Sequence, residues 1–70
     1  MQAVQIRVFE EGYYPFRSET LPFVIDAKLD RDGDVYVSGL ELHKVEPEYF
    51  ANDDFQYFFY RDCHFFEVVS

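Results

Sequence analysis

The sequence predicts a mainly β domain: a small antiparallel sheet of about four or five strands, curled into an open barrel. Three observations lead there. Residues 23–29 place Phe23, Ile25, Ala27 and Leu29 on one face, with Asp26, Lys28 and the following Asp30 on the other. Side chains alternate along a strand, so this period marks a half-buried one. A second apolar run, 35–42, follows across Asp30-Arg31-Asp32-Gly33-Asp34; the Asp-Gly pair suits a turn because glycine takes positive φ without steric cost. Nine Phe and six Tyr make up 21% of the chain, and aromatic density favours strands.

Taken in order, residues 3–9 set Val4, Ile6 and Val8 against Gln5 and Arg7, again the pattern of a strand, which Glu10-Glu11-Gly12 ends. Residues 13–21 show no period. Pro15 and Pro22 withhold backbone donors and push their predecessors toward extended geometry, giving a loop of polyproline character. Tyr13, Tyr14 and Phe16 are too apolar for a freely solvated loop and are expected to fold over an open end of the core. In residues 35–42, Val35 and Val37 share a face, whereas Leu40 and Leu42 have the opposite parity. One inserted residue would restore the register, so a β-bulge is expected at Ser38-Gly39.

Glu46-Pro47-Glu48 suits a single helical turn over 47–51, which Asn52 could end. The last stretch reads in two ways. Strands at 55–60 and 64–69 would form a hairpin turning at Asp62-Cys63. Alternatively, Asn52 caps a helix over 53–61, with Asp53 and Asp54 at the positive end of its dipole, and the fold becomes α+β. Aromatic density favours the strands.

Seventy residues make a single compact domain, 1–70, near the size at which one core is marginally stable. A lone cysteine, Cys63, offers no internal disulfide, so packing must supply the stability. The rings exceed what a small core needs, which favours some aromatic exposure and a partner surface or homodimer. A lone thiol, no apolar run of membrane length and no basic, apolar leader at the N-terminus point to the cytoplasm.

Motifs for catalysis and metal binding are weak. Placing Gly33 at the sixth position of an EF-hand loop puts Asp30 and Asp32 at the third and fifth, but Lys28 at the first and Gly39 at the twelfth, where carboxylates belong. Cys63 and His64 are neighbours, and neither strand nor helix geometry aims a thiol at the adjacent imidazole. Cys63, His43 and His64 show no zinc spacing. No glycine loop suited to phosphate is present, and carboxylates at a solvated turn tip do not make a pocket. The expectation is a protein that is not an enzyme and holds no cofactor or metal.

Charge carries the functional expectation. Fourteen Asp and Glu face six Lys and Arg, for a formal net charge of −8. That field repels nucleic acid and anionic membrane and attracts basic protein surfaces, although acidity can also serve solubility alone. An antiparallel meander would gather Glu10, Glu11, Glu19, Glu46, Glu48, Asp53 and Asp54 at one pole beside Tyr13, Tyr14 and Tyr49, with Asp30, Asp32 and Asp34 at the other. Two acidic poles joined by aromatic surface would suit a basic groove built for nucleic acid. In size, acidity and aromatic content the chain resembles small phage-encoded antagonists of host defence, a likeness of composition that covers no motif. It implies an inhibitor or decoy, a nucleic-acid mimic acting in the host cytoplasm. A structural or assembly module associating through Phe and Tyr surface is the alternative.

Overall fold

The computed structural model describes residues 1–70 and is mainly β, as the alternation predicts. Five strands, β1 (Gln2–Val8), β2 (Phe23–Leu29), β3 (Val35–Ser38), β4 (Gln56–Phe59) and β5 (Phe66–Val68), form an antiparallel sheet in the order β4-β3-β2-β1-β5. The sheet curls into a half-barrel, and one short helix, α1 (Gly39–Val45), packs against β2 and β3. β1 and β2 pair in register from Gln2↔Leu29 to Val8↔Phe23. That register turns Val4, Ile6, Val8, Phe23, Ile25 and Ala27 to the interior, where Val35, Val37 and Phe59 meet them. The turn between β2 and β3 has Gly33 at φ +90°, the conformation the Asp-Gly pair foretold.

The second hairpin strand is shorter than expected. It stops at Ser38, and the β-bulge predicted at Ser38-Gly39 is replaced by the start of α1. The parity switch at Leu40 and Leu42 is a change of period from two to 3.6, not an inserted residue. Ser38 is the N-cap, its Oγ accepting from the Glu41 amide at 3.2 Å, and Leu42 turns inward to complete burial. The helical turn expected at 47–51 is a plain turn after α1. Helix formation directly after Ser38 uses a serine followed three residues later by an acid, Glu41, at capping-box spacing, a signal the strand reading passed over.

The C-terminal third is strand, so the α+β alternative with a helix at 53–61 is overturned. The two strands nevertheless do not pair with each other. β4 lies on β3, with Tyr36↔Phe58 and Ser38↔Gln56, and β5 lies on β1, with Arg7↔Glu67. They are the two edges of the sheet, brought toward each other by its curl, and Phe59 of β4 touches Phe65 and Phe66 at ring separations of 5.3 and 5.4 Å. Tyr13 and Tyr14 seal the edge of β4. The Tyr14 hydroxyl accepts from the Phe58 amide at 3.0 Å and donates to the Phe58 carbonyl at 2.9 Å. The Tyr13 hydroxyl accepts from the Tyr60 amide at 3.0 Å and donates to the same carbonyl at 2.9 Å. As expected, the 13–21 loop folds over the core: Phe16 is buried and stacks edge-on against Phe23 at 5.2 Å.

Three substitutions test these contacts. Ser38→Ala should cost about 1 kcal/mol in denaturant unfolding through loss of the cap. Gly39→Ala should also destabilise, although alanine is the better helix former. Its Cβ would stand 2.7 Å from the Phe50 carbonyl oxygen and 2.9 Å from that of Asn52; a neutral or stabilising result would mean the 50–52 backbone is not pressed against the helix start. Tyr14→Phe should cost about 1–3 kcal/mol, because it leaves a partly buried amide unpaired, and should speed hydrogen exchange at Phe58.

Candidate functional site

Carboxylates are the dominant chemistry of this surface, and the fold distributes them in a definite way. Three ion pairs form: Arg7–Glu67 at 3.5 Å, Arg17–Glu46 at 2.9 Å and Lys44–Glu41 at 2.7 Å. Of fourteen Asp and Glu residues, three are thus paired, leaving eleven without a cation of their own chain.

The first acidic group surrounds the loop before β2. Glu11, Glu46 and Glu48 line a shallow groove of about 490 Å³ with Arg17 and Tyr49. Glu46 raises the Arg17 pKa most strongly, with smaller contributions from Glu19 and Glu48. Glu46 itself is 3% exposed and serves the interior. Its Oε1 accepts from Thr20 Oγ1 at 2.6 Å and Arg17 Nε at 2.9 Å. The Thr20 hydrogen bond is the chief reason its pKa is lowered, with Arg17 adding to it against the opposing effect of burial. Tyr49 is half-buried; its hydroxyl donates to the Pro15 carbonyl at 3.1 Å. The Tyr49 carbonyl accepts from His43 Nδ1 at 2.8 Å, and because a carbonyl only accepts, the proton lies on Nδ1.

Asp53, predicted for the same pole, sits elsewhere. With Asp26 and Glu41 it borders a groove of about 770 Å³ on the solvent face of the sheet, alongside Lys28, Ser38 and Gln56. Glu41 chiefly, then Asp26 and Asp53, raise the Lys44 pKa. Glu10 and Asp54 are exposed on the loops after β1 and before β4, and the Asp54 amide donates to Asn52 Oδ1 at 2.9 Å.

The third group is the β2–β3 turn. Carboxylate oxygens of Asp30, Asp32 and Asp34 lie within 4.8 Å of one another. Asp30 Oδ1 accepts from the amides of Asp32 (2.9 Å) and Asp34 (3.0 Å), and Asp34 Oδ1 accepts from the Arg61 amide at 2.8 Å. Arg61 Nη1 donates to the Asp32 carbonyl at 2.6 Å, so one guanidinium stands at the turn, offsetting part of its charge, without an ion pair to any of the three carboxylates.

Sequence reasoning placed the turn cluster together and joined Glu11, Glu19, Glu46 and Glu48, but it missed Asp26 and Glu41. Asp26 was visible on the polar face of β2, and Glu41 was hidden by reading α1 as strand. The Arg17–Glu46 pair spans 29 positions, with no local pattern to announce it. No helix is long and apolar enough to cross a membrane. No family model, curated protein or solved structure matches the chain.

The titrations have definite signs. Glu46 is lowered in the folded state, so its contribution to stability is complete above the usual glutamate range and is lost as pH falls through its depressed value. Glu46→Gln should flatten the acid limb of the stability–pH curve. Burial, with Tyr57 and Glu46 nearby, pushes the Tyr49 phenol up to about 12. Its stabilising effect is present below the ordinary tyrosine range and vanishes as pH rises through that value. Burial also raises Tyr13, Tyr14 and Tyr36, so phenolate absorbance should show several late-ionising tyrosines, one fewer in Tyr49→Phe.

Proposed function

We propose that this chain is a non-enzymatic acidic binding protein that occupies a basic, nucleic-acid-binding surface of a partner protein, as an inhibitor or decoy. The observation that supports the reading is the excess of eleven carboxylates unpaired within the chain, many of them in the three groups just described. A surface that binds phosphates by charge accepts a rigid array of carboxylates for the same reason, since its affinity is largely the release of counterions. The binding surface comprises Glu10, Glu11, Glu48, Asp53 and Asp54 with the turn residues Asp30, Asp32 and Asp34; Glu46 and Tyr49 hold it in shape from within. A phage source and action in the host cytoplasm accord with this reading.

Exposed rings favour a second reading, an assembly module. Phe50 is 84% and Phe55 55% exposed, beyond what a solvated loop requires. Salt separates the two. Affinity capture from the native host at low and high ionic strength should retain basic nucleic-acid-binding proteins only at low salt. Binding should fall by tenfold or more when Asp32 and Asp34 become Lys, about 1.4 kcal/mol per decade. Salt-insensitive capture, or a salt-insensitive dimer in sedimentation, would favour the assembly module.

A further inference from the structure

The solvent face of the sheet changes in character across its width. On β1 and β2 it carries Gln5, Arg7, Asp26 and Lys28 with the exposed Val24. On β3 and β4, beyond the polar Ser38 and Gln56, it carries rings. Tyr36 and Phe58 are cross-strand partners with centroids 4.5 Å apart, and Phe58 stacks on Tyr60 at 4.5 Å and an interplanar angle of 24°. Tyr60 is 50% exposed, and Tyr36 and Phe58 are partly buried. None of these rings belongs to the buried core. The ladder runs toward the β2–β3 turn. Tyr36 stands two residues beyond Asp34, and the Arg61 amide, next to Tyr60, donates to Asp34 Oδ1 at 2.8 Å; partial burial first, and then the Asp30 charge, raises the Tyr36 pKa.

Flat π-surface beside unpaired carboxylates is the complement of a guanidinium group, which stacks on rings and donates in a planar fork to acids. An ammonium shares only the charge and stacks less well. We infer that the Tyr36–Phe58–Tyr60 ladder and the adjoining Asp30, Asp32 and Asp34 carboxylates form an arginine-reading surface, whose occupant is an arginine-rich segment of the partner protein. This deepens the proposed function by naming the side chain recognised. It rests on that reading for the basic character of the partner.

Blocked oligo-arginine and oligo-lysine peptides of equal length test it on the intact chain at low salt. Oligo-arginine should bind about fivefold or more tightly than oligo-lysine, the scale of a stacking contribution at an exposed site, and should shift the ring resonances of Tyr36 and Tyr60. Tyr36→Leu with Tyr60→Leu, which keeps apolar bulk but removes the rings, should erase the preference, weakening oligo-arginine more than oligo-lysine. Asp32→Asn with Asp34→Asn should weaken both peptides. Equal affinity for the two peptides overturns the arginine reading while leaving the acidic-binding reading intact; binding of neither overturns both. Ring shifts on simple dilution of the free protein would also overturn it, by making this face a contact between copies of the chain.

Discussion

Five strands of this length do not close a barrel, and the unclosed seam between β4 and β5 is the constraint around which the molecule is built. A sheet edge presents unpaired amides and carbonyls, which invite edge-to-edge pairing unless they are covered or blunted. Here part of the edge of β4 is covered by side chains acting in place of a strand. Two tyrosine hydroxyls, each donating and accepting, take up the outward backbone groups of Phe58 and the Tyr60 amide. Behind them Phe59, Phe65 and Phe66 fill the space a further strand would occupy. The tyrosine-rich loop before β2 is therefore part of the sheet's closure as well as a connection.

That solution dictates where charge can go. With the seam filled by rings, the interior has room for only one carboxylate, and Glu46 is tolerated because Thr20 and Arg17 satisfy it. Glu46 follows α1, whereas Thr20 and Arg17 belong to the loop before β2. Their contact fastens that loop against the end of the helix and so holds Tyr13 and Tyr14 in position over β4. The remaining acids lie on loops, on the polar face of β2, on α1 (Glu41) and on the edge strand β5 (Glu67), where water can reach them. Core closure and the exterior field are thus linked through a single buried side chain.

Legibility followed the range of the interactions. The β1 and β2 strands and the Asp-Gly turn depend on neighbours within a few positions, and alternation disclosed them. The α1 helix was also local, but Leu40 and Leu42 fit two descriptions, and only the Ser38–Glu41 cap spacing distinguishes helix from bulge. The pairing of β4 and β5 was beyond local reading. Two ring-rich strands separated by a short connection look like a hairpin, and only the curl of the whole sheet makes them opposite edges. The division of the acidic pole has the same origin, because Asp53 goes with β4 to the solvent face while Glu48 remains beside Arg17.

The rings on that solvent face bear on what the acidity is for. Solubility alone accounts for an excess of carboxylates on a small domain, but it gives no reason to place Tyr36, Phe58 and the exposed Tyr60 beside them. Sheet stability gives a partial reason. A cross-strand aromatic pair such as Tyr36–Phe58 contributes about 0.2–1 kcal/mol, useful where β3 and β4 are four residues each. That benefit does not extend to Tyr60, which lies beyond the end of β4 and leaves half its surface in water. A residue chosen for solubility would be polar there, and one chosen for packing would be covered. Tyr60 stacks on Phe58 at 4.5 Å and tilts against Tyr13 at 6.1 Å, and the proposed arginine-reading surface gives its remaining exposed face, next to carboxylates without an ion-pair partner, something to bind.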